Sequence, residues 1–188
     1  MPPGEGSGRP FPLTAGERRE LLDIARRAVT GWLRERKIPG ERPDSEALRA
    51  PGAAFVTLRH RGRLRGCIGY TEASAPLFRT VQECAVAAAS EDSRFPSVTS
   101  REAGEVRFEI SVLSPLVPVS AEEVSVGVHG LLIRKGTHRG LLLPQVATEN
   151  GWDRTTFLAQ LCAKADLPPD AWTEGAELYS FTAEVFGE

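Results

Sequence analysis

The sequence predicts an α+β fold, mainly antiparallel sheet with flanking helices. Two tight turns, Arg61-Gly62 and Gly136-Thr137-His138-Arg139, each sit between runs that read as strands, and hairpins impose antiparallel pairing. Three segments carry apolar residues at helical spacing between those runs. No GxGxxG or P-loop spacing occurs, which disfavours a doubly wound parallel nucleotide fold.

Residues 1–12 are too rich in Gly and Pro to pack and read as a flexible tail, leaving 13–188 as the folded domain. Thr14 starts a helix, with Glu17 completing a capping box. Leu21, Leu22, Ala25, Ala28, Val29 and Trp32 form its apolar stripe, and Pro39-Gly40 stops it. Residues 41–52 read as a loop. Ala54 to His60 alternates as a strand, and Leu64 to Tyr70 is its hairpin partner. Ser74 or Ala75 caps a second helix, with Pro76 in its first turn and Leu77, Val81, Cys84 and Ala88 as its buried line.

Val106 to Leu113 alternates as a strand, with Phe108, Ile110 and Val112 facing the core and Glu109 and Ser111 on the other face. Ser120 and Glu123 form another capping box, for a short helix. Gly130 to Lys135 and Gly140 to Leu143 form the second hairpin. Asp153 caps a third long helix carrying Phe157, Leu158, Leu161 and Cys162, ended by Pro168-Pro169, and Leu178 to Phe186 is a terminal strand.

The chain has 188 residues, 41% of them hydrophobic, enough for a sizeable core. Its net charge of −2 sets up no global field toward nucleic acid or membrane. Arginine outnumbers lysine 20 to 3, a bias that GC-rich coding explains as well as selection for bidentate anion contacts. No apolar run reaches the roughly 20 residues that span a bilayer, and Met1 to Pro10 lacks the apolar core of a signal peptide, so the expected location is cytoplasmic. Cys67, Cys84 and Cys162 are odd in number and show no CxxC spacing, which argues against a disulfide framework or a structural zinc site. The three histidines show no ligand spacing either, so no local pattern points to a metal, a site assembled from distant positions stays open, and the cofactor is unknown from sequence.

The candidate site centres on Leu64-Arg65-Gly66-Cys67-Ile68-Gly69. Gly66 and Gly69 let backbone approach a ligand. Cys67 is a candidate nucleophile whose pKa Arg65, two residues away on the same face of a regular strand, would lower; the alternative is a small residue packed in a tight turn. Cys84 and Cys162 lie on apolar helical faces and read as core. Arg59, Arg61, Arg63 and Arg65 fall on one face if the turn preserves alternation, as an anion clamp or as a charged edge that resists pairing. Little aromatic interleaving accompanies them, which disfavours nucleic acid. Asp92 and Arg94 could face a substrate or pair with each other, and Asp92 and Glu109 would complete an acid/base set with Cys67 if the fold brings them near. Gln145, after Pro144, could aim an amide into a cleft.

Taken in order, the hexapeptide at 64–69, Asp92-Ser93-Arg94-Phe95, Glu109-Ile110-Ser111-Val112-Leu113, Gly140 to Ala147 with Gly151-Trp152-Asp153, and the helix segments Phe157-Leu158 and Leu161-Cys162-Ala163-Lys164-Ala165 resemble the AMMECR domain family from about residue 14 onward. The resemblance implies an α+β fold of two unequal lobes with a cleft between them and the hexapeptide in or near it. It also implies possible association with Memo-like and radical-SAM proteins, and action on RNA, protein or a small metabolite. Two function classes follow. One is a cleft enzyme using Cys67, with Arg65 and Arg94 holding an anionic substrate and Asp92 or Glu109 as acid or base. The other is a non-catalytic adaptor that recognises an anionic ligand or a partner through the glycines and arginines.

Overall fold

The computed structural model describes residues 12–188; all of the expected tail except Pro12 lies outside the described residues. The chain forms two compact units, one comprising the segment to Leu113 with Glu184–Glu188, the other Ser114–Ala183. The second unit is thus inserted in the chain between the third strand and the last strand of the first.

In the first unit, α1 spans Ala15–Glu35. Thr14 caps it as expected: its hydroxyl accepts the Glu17 N–H at 3.3 Å, and the Glu17 carboxylate accepts the Thr14 N–H at 2.8 Å. It ends three residues before Pro39, at Arg36, whose left-handed backbone (φ 56°) breaks the repeat. Leu21, Ile24, Ala25, Ala28 and Val29 make its buried stripe, while Leu22 and Trp32 are only half-buried. The 41–52 segment is not wholly a loop. Ser45 accepts the Leu48 N–H at 3.4 Å and caps a one-turn helix, α2 (Glu46–Arg49), that seats Ala47 and Leu48 in the core.

Strands β1 (Ala53–His60), β2 (Arg63–Tyr70), β3 (Val106–Leu113) and β8 (Ala183–Gly187) form one sheet in the order β2-β1-β3-β8, with β1 antiparallel to both neighbours. Arg61 (φ 51°) and Gly62 (φ 77°) close the β1–β2 hairpin in the doubly left-handed turn that suits strand twist. α3 (Leu77–Ser90) starts one or two residues later than a Ser74 or Ala75 cap would set, because Pro76 itself takes the cap position. α1 and α3 cover one face of the sheet, burying Val56, Leu58, Phe108, Ile110 and Val112 with Leu77, Val81, Cys84 and Ala88. Each large apolar side chain so buried contributes about 1.5–3 kcal/mol.

The second unit is built on β4 (Val117–Pro118), β5 (Gly130–Lys135), β6 (His138–Leu142) and β7 (Glu177–Phe181), in the order β4-β7-β5-β6. Ser120 and Glu123 cap a single 3₁₀ turn over Ala121–Glu123. The β5–β6 turn is tighter than expected, with Gly136 at φ 61° and His138 already paired to Lys135. A short helix, α4 (Pro144–Glu149), follows β6, with Pro144 at its first position. Asp153 caps α5 (Arg154–Lys164), accepting the Thr156 N–H at 2.8 Å. Phe157, Leu158, Leu161 and Cys162 pack on Leu131 and Ile133.

The expected terminal strand over 178–186 is two strands in two sheets. It divides at Thr182, whose N–H donates to the Ser114 hydroxyl and whose carbonyl accepts the Ser114 N–H, both at 2.9 Å. Those bonds tie the entry and exit of the inserted unit together, and β8 then joins the first sheet.

Candidate functional site

The hairpin register decides which side chains meet. Counting back from a two-residue turn pairs Thr57 with Gly66. The observed register slips between Leu58 and Arg59, so Leu58 faces Gly66 and Thr57 faces Cys67. Arg65 is the extra residue of this β-bulge. Glu109 of β3 faces Thr57 from the other side. Glu109, Thr57 and Cys67 therefore form one row across three strands, on the sheet face opposite α1 and α3. The Thr57 hydroxyl donates to Cys67 Sγ at 3.3 Å. Strand spacing of about 4.8 Å puts Glu109 roughly 10 Å from Cys67, backbone to backbone.

β2 is an edge strand, and the backbone of Cys67 points off that edge. Its N–H donates to Asp92 Oδ2 at 2.9 Å, and its carbonyl accepts from Arg94 Nη2 at 3.3 Å. The loop after α3 thus supplies side chains where a further strand would supply backbone. Asp92 and Arg94 also pair with each other through Nε to Oδ1 at 2.9 Å and Nη2 to Oδ2 at 2.7 Å, while Oδ1 accepts the Arg94 N–H at 3.2 Å. The Arg94 guanidinium, helped by the Cys67 and Arg94 N–H groups, holds the buried Asp92 carboxyl well below the usual carboxylate range. Asp92 in turn raises the pKa of Arg94. The Arg94 side chain is 56% exposed and stacks 5.5 Å from the Phe95 ring centroid. Its Nη1 has no partner among the described residues.

Arg65 does not lie beside the thiol as a free cation. From the bulge its guanidinium reaches Glu102 (3.2 and 3.3 Å) and the carbonyls of Pro96 (2.6 Å) and Ser97 (3.2 Å), with its side chain 13% exposed. Glu102 also accepts the Thr99 N–H at 2.9 Å, and these bonds, Thr99's first, bring its pKa down to about 2. The guanidinium next to Cys67 is that of Arg94. Nor do the arginines of the hairpin gather on one face. Arg61 sits in the turn and shares Glu105 with His60, while Arg59 lies 3.8 Å from Glu109.

Both glycines of the hexapeptide have a packing reason, and neither has positive φ. A Cβ on Gly66 would lie 2.0 Å from the Ala88 carbonyl oxygen of α3. A Cβ on Gly69 would lie 2.2 Å from the Phe55 ring, which crosses the strand there. Gln145 is in the second unit, on the first turn of α4, while Cys67, Asp92, Arg94 and Glu109 are in the first. Cys84 and Cys162 are buried; burial pushes the Cys84 thiol up to about 12 and raises that of Cys162.

Thr57 and Phe55 are site residues that sequence reasoning did not identify. Alternation along β1 places both on the face away from the helices, but only the bulge brings Thr57 to the cysteine. Among the described residues no group of three His, Cys, Asp or Glu side chains could hold a metal ion, and no helix is long and apolar enough to cross a membrane.

The chain is similar along nearly all its length to proteins of archaea. A protein of Methanothermobacter thermautotrophicus is 44% identical over 188 residues, covering 94% of this chain and 97% of its own. One of Methanopyrus kandleri is 40% identical, covering 94% and 90%. The crystal structure of an uncharacterised protein from Pyrococcus horikoshii superposes with a TM-score of 0.83 at 38% identity, covering 90% of each chain. The AMMECR1 family model matches residues 22–186. With the hexapeptide and the Asp92–Phe95 loop at one edge of the sheet that also holds the Glu109 strand, this chain belongs to the AMMECR1 family.

Proposed function

We propose that the sheet face around Cys67 is a thiol site, in which Cys67 Sγ reacts with a substrate whose anionic group docks on Arg94. The observation that carries this reading is the contact set of Cys67 itself: a hydroxyl donor at 3.3 Å from its sulfur, and an exposed guanidinium bonded to its own carbonyl. The Thr57 hydroxyl holds the sulfur in place on the sheet face opposite the helices. Arg94 spends Nε and Nη2 on Asp92 and Cys67, leaving Nη1 for a ligand oxyanion. Asp92, ionised and saturated by donors, positions Arg94 and the strand and moves no proton. Glu109, in the same row, is the carboxylate for acid/base work. Arg65 holds the 96–102 segment in place.

The test is alkylation of the native protein, read at each cysteine by mass spectrometry, with neutral iodoacetamide against anionic iodoacetate. The expected result is Cys67 labelling while Cys84 and Cys162 stay protected, with iodoacetate favoured relative to a free-cysteine standard and that preference lost in Arg94→Gln. Cys67 protection equal to that of Cys84, or no preference for iodoacetate, sinks the reading.

A second reading is an adaptor that recognises an anionic ligand or a partner such as a Memo-like or radical-SAM protein. Its support is that Gly66, Gly69 and Arg65 are each accounted for by packing, which leaves Arg94 and Phe95 as the groups offered outward. Under it, Cys67→Ala is silent in every binding assay and Arg94→Ala is not.

A further inference from the structure

α1 carries a second group of side chains that the thiol site does not use. Arg26, Thr30, Leu33 and Arg34 stand at i, i+4, i+7 and i+8, on one side of the helix. Ser100, Ala103 and Gly104, from the segment joining α3 to β3, line the same cavity, of about 310 Å³. That is near the lower end of the ~300–1,000 Å³ typical of small-molecule sites, which suits a small metabolite.

The lining has one uncommitted charge. Arg26 donates to the Glu188 carboxylate and to the Val106 carbonyl at 3.4 Å, and lies 4.9 Å from the Phe108 ring centroid, so its charge is balanced. The Thr30 hydroxyl donates to the Arg26 carbonyl at 2.8 Å. Arg34 is exposed, and among the described residues its guanidinium has no ion pair or hydrogen bond; nor has the Ser100 hydroxyl. Among the described residues no acidic side chain lines the cavity. Leu33 and Ala103 give it an apolar wall, and Gly104 leaves open space, since a Cβ there would meet nothing within 4 Å.

We propose that this cavity binds a small organic oxyanion. Its carboxylate or phosphate head group takes a forked pair of bonds from Arg34 and one from Ser100, and its short apolar body lies on Leu33 and Ala103. A guanidinium fork matches either head group. The apolar wall selects against a bare inorganic ion, because only an organic body gains by covering it.

The full chain, labelled with ¹⁵N, is titrated separately with benzoate, phenyl phosphate, benzamide and inorganic phosphate. The expected result is saturable shifts at Ser100, Gly104 and Arg34 Nε with benzoate or phenyl phosphate; the tighter of the two identifies the head group. Benzamide and inorganic phosphate bind at least tenfold more weakly, and Arg34→Gln weakens the organic anion at least tenfold. Absence of saturable shifts at these residues overturns the proposal, as does unchanged affinity in Arg34→Gln. Benzamide binding as well as benzoate removes the role of charge, and inorganic phosphate binding as well as phenyl phosphate removes the role of the wall; either result overturns it too. The cavity shares no residue with the thiol site, so alkylation of Cys67 proceeds unchanged under saturating ligand.

Discussion

The Asp92 carboxylate accepts the backbone N–H of Cys67 at 2.9 Å across 25 residues of chain. With Arg94 returning a bond to the Cys67 carbonyl, a side-chain pair occupies the two backbone groups that an edge strand would otherwise offer to another chain. The loop after α3 is thereby fastened to the one residue of the hairpin that carries a thiol.

Removing that fastening costs stability. Asp92→Ala leaves the Cys67 N–H without its acceptor and the Arg94 guanidinium with only the Cys67 carbonyl, and the expected loss is about 1–3 kcal/mol in urea unfolding. A midpoint equal to wild type would show that solvent replaces the carboxylate without penalty.

Gly66 and Gly69 respond differently to an added methyl group. Gly66→Ala drives Cβ into backbone, the Ala88 carbonyl, and is expected to destabilise by about 1–3 kcal/mol or more with no side-chain rescue. For Gly69→Ala the nearest atoms to the new Cβ are those of the Phe55 ring, so Phe55→Ala in the same chain should remove most of its added cost. A double-mutant cycle by thermal unfolding measures this; additivity of the two changes would contradict the contact.

Among the depressed carboxyls of the described residues, Asp92 and Glu102 are the most strongly lowered and weigh most in acid stability. Asp92 and Glu102 both titrate lower when folded than when unfolded, so their contribution is present above the ordinary carboxylate range and is lost as pH falls through the folded values, about 2 for Glu102. Urea midpoints measured between pH 6 and 2 should fall with pH below about 4.5. Glu102→Gln should flatten part of that slope, and an unchanged slope would exclude Glu102 as a contributor.

Thr57→Val removes the donor to Cys67 Sγ while keeping a β-branched residue in the strand. Alkylation of Cys67 at neutral pH should slow several-fold, with Cys84 still protected. An unchanged rate would mean that the hydroxyl does not support the reactive sulfur.

Much of the fold is legible in local chemistry. The Thr14–Glu17 capping box, the Arg61-Gly62 turn and the alternation of Val106–Leu113 each depend on neighbours in sequence, and each appears where expected. The short helices α2 and α4 were not legible, because a turn or two of helix has too little periodicity to read. The division of the terminal strand depends on Ser114, 68 residues away. Within the site, the Asp92–Arg94 pairing follows from spacing, whereas the partner of Arg65 does not: Glu102 lies 37 residues on, beyond a helix. Thr57 was out of reach for another reason, since simple counting from the turn pairs it with the wrong residue.

That miscount has a consequence of its own. Side-chain direction along a strand has only two values, so the number of residues between Gly62 and Cys67 acts as a parity. With the bulge at Arg65 the parity turns the thiol toward Thr57 and the hydrogen-only residue toward the Ala88 carbonyl. At the same chain length without the bulge, the plain two-residue turn would pair Thr57 with Gly66 and exchange them, forcing a sulfur into a helix backbone and an empty position onto the open face. Substitutions at exposed Arg63 or Leu64 should therefore be tolerated where a single-residue insertion is not, and loss of Arg65 alone leaves a regular ladder with Thr57 still facing Cys67: in this hairpin, register is itself a determinant of the chemistry.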